Sequence, residues 1–470
     1  MRRTSSEEVG VKLPVKLLSP VDSMFVRMET SRAPLHIGCG ALFELPESAG
    51  PDFVKDLHRV FSELTWVPFP YDSVVDHGPG NALSHWVRTT PDPAYHVRLL
   101  TLPAPGNDAQ LGQLIERLHS KPLDLTKPLW EAYVIEGLDQ NRFAFYFKAH
   151  HGATDGLGAM RTIKQWLSAS PTGDVGPGGA ESPESAERPA LERADRRVLR
   201  LARSIVEGIV SNVGFAGEMA GKIVEMGSGA NSAVLGALRT PRTPFNRKVT
   251  SNRRMAKTEL DLPRMRAIAL ATGTTVNDVV LTALAGAVRR YLIELDRLPG
   301  RTLTASVPVG IDRDEGTINA AAGFVCPLRT DLEDPIARLH GINAVTARGK
   351  KELVALSPGA LQQFTLAGLL PIAFSQKVVT APPLFNFVVS NLVLSREPLY
   401  LAGARLLSMV PVSFLTDGYG LNVTMIGYVD KVTLGFVGCR DTIPHLQRLA
   451  IYTDDALDEL EAATTSDAGR

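Results

Sequence analysis

The chain has 470 residues, more than one hydrophobic core usually organises, so two domains are expected. Lys plus Arg (50) equals Asp plus Glu (50), a balance that gives no basic field for nucleic acid. The three cysteines, Cys39, Cys326 and Cys439, are far apart, odd in number and without metal-ligand spacing, which argues against a disulfide framework and for reduced, cytoplasmic thiols.

The first residues, Met1 to Glu8, carry charge with no apolar segment behind them, unlike a secretory signal. No uncharged apolar run approaches the roughly 20 residues that span a bilayer. The nearest, Phe364 to Phe374, is short and holds Pro371, so membrane contact is expected to be peripheral.

Residues 1–15 form a loose leader. A turn at Leu18-Ser19-Pro20 opens a short helix through Phe25. In the strand that follows, Leu35, Ile37 and Cys39 alternate with His36 and Gly38, and His36 reads as a structural, strand-face histidine. Phe53, Val54, Leu57, Val60, Phe61 and Leu64 mark an amphipathic helix over residues 52–64. Trp86-Val87 and Tyr95 to Arg98 are strand-like, and Leu111 to Leu118 is helical. Pro128, Leu129 and Trp130 close a loop onto the core, with a lesser claim to shape a substrate pocket. A turn at Gly137-Leu138-Asp139 leads into the apolar strand Arg142 to Ala149.

Between that strand and a helix over Leu157 to Leu167 stand His150, His151, Asp155 and Gly156. Imidazole has an unperturbed pKa near neutrality, so a positioned His takes a proton from an alcohol and hands it on. Asp155 is placed to orient a ring or cap the helix, and Gly156 allows a backbone that a Cβ would forbid.

Residues 168–189 are rich in Pro, Gly, Ser, Ala and Glu and read as a linker. Residues 194–226 read as a helix whose stripe of Val198, Leu201, Ile205 and Ile209, beside several Arg, suits packing on the protein or a lipid interface. The domains are therefore placed at 1–167 and 241–470, joined by a linker and crossover helix at 168–240. In the second half a rigid loop at Thr240 to Asn246 precedes a strand at Met255 to Leu260. Val276, Val279, Val280, Ala283, Leu284, Ala287 and Val288 then hold a helical period, and Thr275 and Asp278 have capping-box spacing. Asn277 sits at that helix N-terminus, a favourable place to meet developing negative charge. Strands follow at Leu303 to Val309 and Phe385 to Asn391. A hairpin turns at Val429-Asp430, and an acidic helix ends the chain.

His150-His151-x-x-x-Asp155-Gly156 resembles the active-site motif of the CoA-dependent acyltransferase superfamily, and particularly of bacterial wax ester synthases/diacylglycerol acyltransferases. Three further stretches resemble that family in its order. They are Ser19-Pro20-Val21-Asp22 ahead of Pro34-Leu35-His36-Ile37-Gly38, then Pro122-Leu123-Asp124 with Pro128-Leu129-Trp130-Glu131, and Thr275-Val276-Asn277-Asp278-Val279. The resemblance implies a chloramphenicol-acetyltransferase-like α/β fold of mixed sheets in two domains, with an active-site tunnel at their interface. It implies an O-acyltransferase that moves a long-chain acyl group from acyl-CoA, a substrate, to diacylglycerol or a long-chain alcohol. No cofactor and no metal are expected. The protein would work in the cytoplasm, peripheral on the inner membrane face or on lipid inclusions. His151 would be the base, His150 and Asp155 would complete the catalytic set, and Gly156, Asn277 and Asp278 would shape the site. Pro128, Leu129 and Trp130 would border the substrate pocket.

Two stretches depart from the family pattern. Pro308-Val309 is followed by Gly310-Ile311-Asp312 before Arg313, where a Ser is usual. Ser390-Asn391 runs into Leu392-Val393-Leu394-Ser395 in place of Val-Pro-Gly-Pro, an apolar stretch for a rigid turn, which bears on the shape of the channel. Two other readings stay open: a condensation-domain-like acyltransferase using a carrier protein or another acceptor, and a catalytically silent paralogue that binds lipid inclusions.

Overall fold

The computed structural model describes residues 14–64, 67–77, 84–90, 92–172, 240–310, 321–354 and 383–467. Residues 1–13 of the leader, most of the linker (173–189), the helix expected over 194–226, the Ile311 to Arg313 segment and the Phe364 to Phe374 run lie outside the described residues; Pro14 and Val15, expected as the end of the loose leader, are strand.

In the N-terminal half β1 (Pro14–Leu17) leads into α1 (Pro20–Met28), where the Ser19 side chain accepts from the Asp22 N–H and Pro20 opens the first turn. β2 (His36–Glu44) and α2 (Phe53–Ser62) follow, and α2 buries Val54, Leu57 and Phe61. β3 (Ser73–Asp76) and β4 (His85–Arg88) join β1 in a small sheet of order β1-β4-β3. Tyr95 and His96 are not strand: Pro93 and the Asp92 cap wind them into a helical turn, α3 (Pro93–His96), before β5 (Val97–Thr101). α4 (Asp108–Ser120) opens on a reciprocal Asn107/Gln110 capping box.

β6 (Trp130–Leu138) and β7 (Arg142–His150) form the motif hairpin. Its turn lies further along than the sequence suggests, at Gln140 and Asn141 (φ 56° and 57°). Gly137 (φ 79°) instead takes up the register shift between Ile135 and Leu138, a bulge that needs a left-handed residue. α5 (Gly156–Trp166) completes this half.

The C-terminal half begins with β8 (Arg253–Asp261), α6 (Leu262–Thr272) and α7 (Val276–Glu294). Residues Asp278 to Val288 of α7 are buried on every side, so it is the central core helix of this half. β9 (Thr304–Gly310), β10 (Ala321–Pro327) and α8 (Pro335–Val354) come next. β11 (Phe387–Ser395), β12 (Tyr400–Leu401), β13 (Ala404–Val412), β14 (Leu421–Tyr428), β15 (Lys431–Cys439) and α9 (Gln447–Asp467) finish the chain. No single described helix is long and apolar enough to cross a membrane.

Two six-stranded mixed sheets result, with orders β12-β13-β2-β7-β6-β5 and β10-β9-β11-β14-β15-β8. This is the two-part mixed α/β architecture expected. The sheets do not follow the halves of the chain, because β12 and β13 complete the first one, β13 lying antiparallel to β2 with Met409 opposite Ala41. β11 reaches the other way. It runs parallel between β9 and β14, and its far end places Leu392 and Leu394 in the apolar core of the N-terminal half.

One face of the first sheet, carrying Phe143, Phe145 and Phe147, packs with residues of α2 and α5. The other faces α4, whose Ile115 packs in an apolar cluster with Tyr133, Ile135, Ala144 and Tyr146, but it also buries a charged pair. There the fully buried Lys148 ammonium lies 3.0 Å from Glu131 and donates to the Leu118 and Lys121 carbonyls, which the end of α4 leaves unpaired.

Candidate active site

β7 ends at His150, and the chain turns sharply before Asp155 caps α5 by accepting the Gly158 N–H at 2.7 Å. The turn is pinned by backbone bonds. The His150 N–H goes to the Leu129 carbonyl and the His151 N–H to the Leu35 carbonyl at 2.8 Å, while the Ala153 N–H returns to the His150 carbonyl. Gly152 is the residue that lets this turn sit against α1. A Cβ there would stand 2.9 Å from the Val26 side chain and 3.1 Å from the Asp22 carbonyl.

The two histidines have different surroundings. His150 is fully buried, accepts the Gly152 N–H on Nδ1 at 2.9 Å and has Nε2 3.0 Å from the Glu29 carboxylate. His151 lies between two aromatic rings, stacked on Phe25 of α1 at 4.2 Å and edge-on to Phe414 at 5.1 Å. Phe25 comes from the N-terminal half and Phe414 from the segment after β13, so the ring sits on the seam between the halves. Desolvation pulls the His151 pKa down to about 4, against the opposing pull of the Asp155 carboxylate. At neutral pH the ring is therefore uncharged and able to accept a proton.

The seam continues at Gly156, where a Cβ would meet the Leu392 side chain of β11 at 3.2 Å. Next to Leu392, Asn391 donates to the Asn277 side chain at 3.2 Å, which ties the start of α7 to the same strand. Asp278 faces inward. It closes the capping box with Thr275 and also accepts from Thr346 at 2.6 Å and Asn343 at 2.9 Å. Burial pushes its carboxyl up, but those hydrogen bonds outweigh it and hold the pKa below the usual range. Its hydrogen bonds fix the start of α7 against α8. Leu129 and Trp130 are buried; Trp130 stacks on His96 at 4.4 Å and donates to the Tyr71 carbonyl. With Pro128 ahead of them, they reach the motif through the Leu129 carbonyl. Among the described residues no group of His, Cys, Asp or Glu is arranged to hold a metal ion.

Sequence reasoning missed Glu29, Phe25 and Phe414 as parts of the site. Phe25 lies in α1 within the recognised opening stretch, and Glu29, four residues on, is the C-cap that ends the helix. Phe414 has no local signal at all. A further tie was also missed: His119 of α4 donates to the Ser413 carbonyl at 3.0 Å, which holds the residue next to Phe414.

Two mixed-sheet halves with the His-His-x-x-x-Asp-Gly turn at their seam fit the acyltransferase class that the motif resembles. Comparison with known proteins makes the class specific. The family model "Wax ester synthase/diacylglycerol acyltransferase catalytic domain" matches residues 18–280 and "WS/DGAT C-terminal domain" matches residues 318–461. The chain belongs to the wax ester synthase/diacylglycerol acyltransferase family of acyltransferases. A Mycobacterium tuberculosis protein provisionally named diacylglycerol O-acyltransferase is 55% identical over 96% of this chain and 99% of its own length. The solved wax ester synthase/diacylglycerol acyltransferase from Marinobacter aquaeolei VT8 superposes with a TM-score of 0.76 at 32% identity, covering 96% of this chain and 99% of that one. The starter condensation domain of rhizomide synthetase, at 14% identity and a TM-score of 0.57, shares the fold alone.

Proposed function

We propose that this chain transfers a long-chain acyl group from acyl-CoA to the free hydroxyl of diacylglycerol, giving triacylglycerol and CoA. The observation that carries the reading is the His151 ring, kept neutral between Phe25 and Phe414 at the seam of the halves. The names of the mycobacterial relatives support diacylglycerol as acceptor. In this mechanism His151 takes the proton from the acceptor hydroxyl as its oxygen attacks the thioester carbonyl. The tetrahedral oxyanion collapses, the C–S bond breaks, and the CoA thiolate leaves and recovers the proton from the His151 imidazolium. Asp155 favours that transient positive charge, consistent with its upward pull on the His151 pKa. A thiolate leaves readily, so the reaction needs no covalent acyl-enzyme, and acyl-CoA acts as a substrate rather than a cofactor. Both substrates partition into lipid, which suits a protein at the cytoplasmic surface of a membrane or a lipid inclusion.

The test is CoA release from palmitoyl-CoA, trapped by a chromogenic disulfide, with diolein, hexadecanol or no lipid added. Diolein-dependent release is expected, falling about 10²–10⁴-fold in His151→Ala. Turnover in His151→Ala near that of the wild type would remove the base. Faster release with hexadecanol would move the acceptor to a fatty alcohol, and no lipid-dependent release would overturn acyl-CoA as donor.

A further inference from the structure

α1 and the residue that ends it carry two side chains toward the motif, Phe25 beneath the His151 ring and Glu29 at the helix C-cap. The Glu29 side chain is 7% exposed, and a single oxygen, Oε2, accepts the Leu35 N–H at 2.7 Å and lies 3.0 Å from Nε2 of His150. Nδ1 of His150 is already an acceptor, for the Gly152 N–H, so a neutral His150 ring carries its proton on Nε2, facing Glu29. The approach of Nε2 to Oε2 is close but oblique, an electrostatic contact more than a straight hydrogen bond. On its other side Glu29 anchors Leu35, whose carbonyl receives the His151 N–H at 2.8 Å. One carboxylate oxygen thus stands behind both histidines. It reaches one through an imidazole ring that braces the Gly152 turn, and the other through one peptide unit.

We propose that Glu29 is a positioning residue for acyl transfer, whose buried oxygen fixes His150 and the Leu35 backbone and so holds the His151 ring at its place on Phe25. The inference rests on the reading of His151 as the base. Glu29 touches neither the reacting hydroxyl nor the thioester; it acts on the orientation of the group that does. Misplacing a catalytic group by about 1 Å costs on the order of 100-fold in rate, so loss of the oxygen lowers kcat and leaves the KM for palmitoyl-CoA nearly as it was. What matters is an acceptor at the Oε2 position. Glutamine supplies one at the same reach, methionine keeps the length and apolar stem without it, and aspartate falls one methylene short.

The experiment measures kcat and KM for palmitoyl-CoA with diolein in the full-length wild type and in Glu29→Gln, Glu29→Asp, Glu29→Met and His151→Ala. Glu29→Gln is expected within about threefold of wild-type kcat, while Glu29→Met and Glu29→Asp fall by roughly 10–100-fold with KM changed less than about twofold. Should Glu29→Met fail to fold, Glu29→Asp carries the same comparison with the charge retained. Wild-type kcat in either shortened or acceptor-free variant overturns the proposal, as does Glu29→Gln falling as far as they do. Wild-type turnover in His151→Ala is a different failure, for it removes the base and leaves Glu29 with nothing to position.

Discussion

Two phenyl rings place opposed demands on His151. By excluding water they keep it neutral over the whole physiological range, and they also make it a weaker base than free imidazole whose protonated form returns the proton readily to a leaving thiolate. Truncating Phe414 admits water to one side of the ring, so Phe414→Ala should raise the His151 pKa from about 4 toward the ordinary 6.5. Catalysis needs the neutral ring, so kcat/KM falls as pH falls through that pKa. The acid limb of the profile should therefore move to higher pH in the variant, by about a unit or more. Initial rates taken after a brief pH jump read this directly, and an unmoved limb would count against burial as the cause. The turn beneath the ring makes its own demand. Gly152→Ala would push a Cβ to 2.9 Å from Val26 and 3.1 Å from the Asp22 carbonyl, and α1 would have to retreat. A loss of about 1–3 kcal/mol is expected, visible as a lower melting temperature together with lost turnover.

At the scale of elements, helices were legible where their signal is local, whereas α6 and α8 went unread and α3 was taken for strand. Apolar period and caps mark α1, α2, α4, α5 and α7 within a few residues of where they lie. The Thr275/Asp278 and Asp155 caps are cases where a local pattern also foretold an interaction. What the pattern could not show is that Thr346 and Asn343 of α8 converge on the same carboxylate. Asp278→Ala would leave several buried donors unpaired and should cost at least about 2 kcal/mol, measured by denaturant unfolding. A small effect would mean that the cap alone, not the junction with α8, is what Asp278 provides. Pairing across sheets was not legible, because nothing in residues 404–412 announces β2 as a neighbour. The Leu392 to Ser395 departure was read as a lost turn. Without proline the backbone keeps its N–H groups, Leu392 pairs with Ile426 and β11 runs on as strand, which lays Leu392 over Gly156. The histidine motif was legible for the same reason as the helices, whereas Glu29 and Phe414 depend on how α1 and the segment after β13 dock.

Those long-range ties make the halves interdependent. β13 lies in the first sheet, β11 enters the first core, and Arg32 pairs with the buried Asp417 at 3.1 Å, which also accepts the Val249 N–H. Histidines other than the base are buried as well. His36 donates to the His119 carbonyl, His119 bridges Tyr146 and Ser413, and His96 is stacked on Trp130. Desolvation lowers the pKa of each, to about 3 for His119, as it lowers His151 to about 4. In the unfolded chain all four return to about 6.5. Below that value the unfolded state binds protons that the folded state refuses, so stability is full above pH 7 and drains away as pH falls from 6.5 toward 4. Each group contributes up to about 1.4 kcal/mol per pH unit to that slope. Buried carboxylates with lowered pKa, such as Asp278 and Glu131, add their loss only as pH falls through the ordinary carboxylate range, so the window from 6.5 to about 5 belongs to the histidines. Melting temperatures measured from pH 8 to pH 5 should be flat above 7 and fall steeply below 6.5; a flat curve to pH 5 would show that these histidines take up protons without leaving the fold. If the curve falls as expected, activity lost on mild acidification is loss of the folded scaffold, reached before His151 itself is protonated.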